Sequence, residues 1–153
     1  MKAHPYFASV ALAVFSACST SPTAPTVSST AGPLVVAISP NPLVLPAAGQ
    51  QLVWNVTFRD SGNAGVRLNR SETLVTDGNG ANVAERKDFW SKSAGCSVCS
   101  DDIYVAPGRG LTFSGMTAAI LRIPRGDVRF RHTTFFTDDN GTEGSITVEI
   151  PVG

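Results

Sequence analysis

Apolar and polar residues alternate one for one along most of the chain after Leu34, the two-residue period of a half-buried β-strand. In "QQLVWNVTFRD", Leu52, Trp54, Val56 and Phe58 fall on one face, and Val53, Asn55, Thr57 and Arg59 on the other. In "GLTFSGMTAAILRIP", the parity of Leu111 and Phe113 continues through Ala119, Leu121 and Ile123. "DVRFRHTTFF" sets Val128, Phe130, Thr134 and Phe136 against Arg129, Arg131 and Thr133, and "SITVEIPV" puts Ile146, Val148, Ile150 and Val152 on one face. No window keeps a helical i, i+3, i+4, i+7 pattern for three turns. Turn sequences separate the runs: "PNP" at 40, "DSGNAG" at 60, "DGNG" at 77, "PGRG" at 107 and "DDNGTEG" at 138. About seven short strands at this spacing predict an all-β, antiparallel two-sheet sandwich.

The first residues break this pattern. Lys2 precedes the apolar run Tyr6 to Val14, which is too short for a bilayer span of roughly 20 residues and fits a secretory signal. Residues 19–33, "STSPTAPTVSSTAGP", have no hydrophobic period and predict a semi-extended tether.

Between signal and tether, Val14-Phe15-Ser16-Ala17-Cys18 resembles the lipobox of bacterial lipoproteins, with Phe15 where the family usually has Leu. The resemblance implies a signal peptide over 1–17, lipidation of Cys18, a lipid-anchored Ser/Thr/Pro tether over 18–33, and a displayed domain over 34–153. Thioether and amide-linked acyl chains bury enough methylenes for a stable anchor. Ser19, not being Asp, implies the outer membrane or cell surface in the Gram-negative pathway. Cleavage after Ser19 is the competing reading and gives a secreted protein.

The displayed part resembles bacterial immunoglobulin-like or fibronectin-III-like domains. The likeness rests on "ISPNPLVL" as a split first strand, "VAPGRGLTF" entering a middle strand, and "RFRHTTFFTDDNGTEGSITVEIPV" as the closing hairpin. A core-spanning Cys…Trp…Cys arrangement of the antibody type is missing.

Composition narrows the function classes. The 153 residues carry 12 Lys plus Arg against 12 Asp plus Glu, so the chain lacks the basic footprint of a nucleic-acid binder. Cys96 and Cys99 in "AGCSVCSDD" lie in a Ser/Gly-rich loop of an exported domain. A local disulfide is the expected role, ahead of redox or zinc chemistry, since zinc would need two further ligands. No cofactor or metal is expected. His132 shares the parity of Val128 and Phe130 and is expected at the core edge, hydrogen-bonded to backbone, rather than as a general base.

Asp101 with Asp102, and Asp138 with Asp139, are the carboxylate pairs a hydrolase would draw on; adjacent pairs of this kind are ordinarily solvated. "TDDNGTEG" misses the EF-hand spacing, because Gly141 comes two positions early, and reads as a hairpin turn with Asn140-Gly141 at positive φ. Arg125-Gly126-Asp127 resembles the integrin-recognition tripeptide and also suits a tight turn. Arg122, Arg125, Arg129 and Arg131 cluster around that turn; if its two strands pair, Arg129, Arg131 and Arg122 form a basic stripe.

The function expected is non-enzymatic: a binding domain that contacts an envelope or extracellular protein through loops or a sheet edge. Arg125, Arg129 and Arg131 are a candidate binding surface that could also meet anionic glycan or lipid. The alternative is a carbohydrate-binding module, for which Trp90 is the best candidate aromatic, with Phe89 or Tyr104 beside it; packing of Trp90 over the end of the sandwich is the favoured reading of that residue. A small secreted hydrolase is the remaining class and would need carboxylates converging on His132.

Overall fold

The computed structural model describes residues 27–91, 95 and 102–153. Cys18, Cys96, Cys99 and Asp101, on which the lipidation, disulfide and one carboxylate reading rest, lie outside the described residues. Within them the fold is all-β, two antiparallel sheets face to face.

Nine strands occur among the described residues, more than the seven expected: β1 (Val27–Ala31), β2 (Leu34–Ser39), β3 (Gln51–Asp60), β4 (Val66–Thr76), β5 (Asn82–Phe89), β6 (Ile103–Val105), β7 (Gly110–Ala119), β8 (Val128–Asp138) and β9 (Glu143–Val152). One sheet has the order β1-β2-β3-β7; the other has β5-β4-β8-β9, with β6 also paired to β4. β1 lies inside the segment expected to be a tether: it pairs with β2, from Val27 opposite Ile38 to Ala31 opposite Leu34.

Alternation produces the core. Leu52, Trp54, Val56 and Phe58 of β3 are buried, and so are Val128, Phe130, His132, Thr134 and Phe136 of β8 and Ile146, Val148, Ile150 and Val152 of β9. Trp54 meets Phe130 across the two sheets edge to face at 5.2 Å. Such a pair adds about 1 kcal/mol to the burial of the rings.

In β7 the expected parity fails half-way. Val56 faces Phe113 but Trp54 faces Met116, so β7 spends one extra residue opposite Asn55. Gly115, at φ +68°, takes the left-handed conformation of this bulge and donates its N–H to Asn55 Oδ1 at 2.9 Å. Every later side chain changes face: Met116, Ala118 and Ile120 are buried, whereas Leu121 and Ile123 are exposed. No atom stands within 4 Å of a Cβ at Gly115, so the cost of Gly115→Ala is conformational. It should lower stability by about 1–2 kcal/mol, read by urea denaturation. An unchanged midpoint would mean the strand can run without this bulge.

The strand β7 pairs with β3, and β8 pairs with β4 and β9. The expected hairpin of these two strands is therefore a crossover between sheets, and Arg122 does not lie beside Arg129 and Arg131. "ISPNPLVL", expected as a split first strand, is divided between the sheets but follows β1. β2 ends at Ser39, two cis prolyl bonds follow, and Leu43 then forms a parallel bridge to Val152 of the other sheet.

Candidate functional site

Two hairpins repeat one local design. In "DGNGA" Asp77 Oδ1 accepts the N–H of Asn79 and of Ala81 at 3.0 and 3.1 Å; in "DDNGT" Asp138 Oδ1 accepts those of Asn140 and Thr142 at 2.9 and 2.8 Å. Gly80 and Gly141 supply the positive φ, and Asn140, expected to share it, does not. Asp138 is thus a turn cap, not half of an acid pair.

Asp77 does more. Its Oδ2 accepts Arg122 Nη2 at 2.8 Å and the Arg125 N–H at 3.2 Å, and Gly78 N–H donates to the Arg125 carbonyl at 2.9 Å. Desolvation raises its pKa; the N–H groups of Ala81, Arg125 and Asn79 and the Arg122 charge outweigh this and hold it below 3.8. The connection 120–127 is thereby fixed to the β4–β5 turn. Arg125-Gly126-Asp127 is on this connection with its side chains exposed, Gly126 lying against Gly78.

His132 is fully buried. Its partners are hydroxyls rather than the expected backbone: Nδ1 is 2.8 Å from Thr73 Oγ1, and Nε2 is 3.2 Å from Thr134 Oγ1. Burial pushes its pKa from 6.5 down to about 4, against a smaller upward pull from Asp88. Asp88 holds Arg86 at 2.7 Å, and Arg86 reaches across to the Thr117 carbonyl of β7 at 2.9 Å, closing that side of the sandwich.

Asp139, Asp102 and Asp60 are also engaged. Asp139 Oδ2 accepts the Tyr104 hydroxyl at 2.6 Å and the Gly65 N–H at 3.0 Å. The Tyr104 hydroxyl covers Gly65 so closely that a Cβ there would collide with it. This bond to Asp139 raises the Tyr104 pKa. Asp102 lies 3.4 Å from Arg67, and buried Asp60 accepts the Gly108 N–H at 2.7 Å in the "PGRG" turn.

Trp90, the candidate sugar-binding aromatic, packs in the core, as the favoured reading of it had it. It is 8% exposed, stacks on Phe113 at 5.5 Å and meets Phe58 edge to face at 5.2 Å. Arg129 and Arg131 do face solvent on the outer side of β8, Arg131 bonded to Glu149 at 2.6 Å.

That outer face carries the feature the sequence reading missed. The Arg70 guanidinium lies 4.0 Å over the Phe135 ring, and Arg70 stands in register between Phe89 and Phe135. Beside it a depression of about 520 Å³ opens between β4, β8 and β9, lined among others by Asn69, Phe135, Thr137, Glu143 and Ser145. Asn69 enters it because β4 shifts register between Leu68 and Arg70, and its Nδ2 donates to Thr137 Oγ1 at 3.0 Å. The outward parity of Arg70 and Phe135 was the available signal; only the strand order brings them together.

No family model matches the chain, and no curated protein matches it. Solved structures do resemble it. Northeast Structural Genomics Consortium target SoR45 is 12% identical with a TM-score of 0.52, covering 81% of this chain and 90% of that one. A Bordetella pertussis protein provisionally named ApaA is 18% identical with a TM-score of 0.50, covering 86% and 98%. At these identities the likeness concerns the fold alone.

Proposed function

We propose that this chain is a lipid-anchored envelope protein presenting an immunoglobulin-like or fibronectin-III-like domain that binds a partner without catalysing a reaction. The divided segment after β1 supports the fold name: β2 belongs to one sheet, and Leu43 to Leu45 run along the end of β9 in the other. The observation that carries the binding role is the outer-face depression at Arg70 and Phe135, where a cation, an aromatic ring and several hydrogen-bonding side chains meet in the open. The partner is an envelope or extracellular protein. A glycan is the second reading, favoured by the two Phe side chains in register on either side of Arg70.

Two experiments test this. Phe135→Ala combined with Arg70→Ala should cut partner crosslinking in the envelope about tenfold and leave the fold intact; undiminished crosslinking removes the depression as the contact surface. Calorimetry with soluble glycans separates the second reading from the first. Intact mass of protein from the membrane fraction should start at Cys18 with acyl chains and gain two protons on reduction. An unacylated chain in the medium would instead make this a secreted factor.

A further inference from the structure

We propose that the end of the sandwich bearing Leu121 and Ile123 is a membrane-docking tip that seats on an anionic bilayer surface. The proposal deepens the lipid-anchor reading, sharing its membrane but using residues of the folded domain.

Three connections meet at this end. Residues 40–50 reach it through Leu43, bridged to Val152, and Gly49, whose N–H donates to the Ile120 carbonyl. The β4–β5 turn joins through Gly78, bonded to Arg125 in the connection 120–127. Among the exposed large apolar side chains, the three most exposed are at this end: Leu121 at 67% and Ile123 at 77% on the connection beside β5, and Val44 at 73% beside the end of β9, at the other edge of that sheet.

The connection is not loose chain that happens to carry aliphatic residues. Arg122, itself partly exposed, ties the connection to the buried Asp77 carboxylate, and its neighbours Leu121 and Ile123 face solvent. Asp77 and the Gly78–Arg125 bond hold them there. A fold that commits a buried carboxylate to presenting two aliphatic side chains to solvent has placed them against something apolar.

Charge indicates what that is. Arg125 and Arg129 are exposed at this end, with Asp127 between them in sequence. The opposite end collects Asp60, Asp102, Asp138, Asp139 and Glu143 against Arg59, Arg67 and Arg109, a net acidic balance, around the "PGRG" turn, β6 and the β8–β9 turn. Aliphatic side chains flanked by arginines, with the acidic end directed away, match an anionic lipid surface. Chain direction agrees: Val27 enters β1 opposite Ile38, at the docking end, so a tether from Cys18 arrives on the same side.

The test uses the full chain with one tryptophan probe at a time, Ile123→Trp at the tip or Asn140→Trp at the opposite turn. Native Trp54 and Trp90 are buried and give a constant background. Vesicles contain phosphatidylglycerol and lipids brominated on their acyl chains. The Ile123→Trp emission should shift to the blue and be quenched at least about twofold more than that of Asn140→Trp, and less so in purely zwitterionic vesicles.

Equal or no quenching at the two positions overturns the tip, as does a blue shift without quenching, which means a second copy or another protein covers it. Intact mass of the same samples keeps the two readings apart. An acylated chain without tip quenching keeps the anchor and loses the tip. An unacylated chain whose Ile123→Trp probe is quenched by added vesicles does the reverse.

Discussion

Between pH 6.5 and pH 4 the domain loses about 3 kcal/mol of stability through His132 alone. The unfolded imidazole titrates near 6.5 and the folded one at about 4. Above 6.5 both states are neutral and His132 adds no pH dependence. As the pH falls through this window the unfolded chain binds a proton that the folded one refuses, and each unit is worth about 1.4 kcal/mol. Below about 4 both are charged and the slope ends. Asp77 acts in a separate window: its folded pKa is depressed below 3.8, so its contribution is lost only at more acid pH.

Urea denaturation at several pH values reads this directly. His132→Phe keeps a ring to stack on Phe130, now 6.3 Å away and nearly parallel, and removes the titration. Its stability at pH 7 drops by about 1–3 kcal/mol, because Thr73 and Thr134 lose their partner. The slope between pH 6.5 and 4 then flattens. An undiminished slope in His132→Phe would assign the acid sensitivity to other groups.

His132 also illustrates what the sequence makes legible. Its parity with Val128 and Phe130 identifies a core position, because on a strand two residues decide a face. Its hydroxyl partners are not readable: Thr73 is on β4, and nothing in "RFRHTTFF" states that β8 lies against β4. β3 and β9 were legible over their whole length for the same local reason. β7 was legible as far as Gly115, where one inserted residue reverses the faces; an isolated glycine in an alternating run was the only trace of it.

The surfaces were harder to read than the core. Eight residues between β7 and β8 allow either a hairpin or a crossover, and the crossover moved Arg122 from the expected stripe to Asp77. "DGNG" is legible as a turn, but the second use of Asp77 depends on a segment forty-five residues away. Arg70 over Phe135 and the Asn69 depression likewise exist only once β4 and β8 are paired. Local alternation fixes which side chains are inside, and strand order fixes which outside ones meet.

Trp90→Ala should be the most damaging single substitution considered, because this side chain belongs to the core and not to a sugar-binding surface. Its indole is held between Phe113, stacked at 11°, and Phe58, edge-on at 77°. The Trp90 backbone N–H donates to the Asn69 carbonyl at 2.8 Å, a bond that the alanine variant keeps, so the loss is one of ring packing. Removing a buried indole costs about 3–5 kcal/mol, a large share of a small domain's stability, and lowers the melting temperature by roughly 10 °C or more. Trp90→Phe should recover part of the loss. Phe89, one residue earlier, is an internal control: it is 45% exposed on the outer side of β5, and Phe89→Ala should cost less than about 1 kcal/mol. A surface platform at Trp90 would invert the two results, with Trp90→Ala melting normally and only binding affected. Phe89 is the last residue of β5 and faces solvent, and the next residue, Trp90, just past the strand's end, turns into the core.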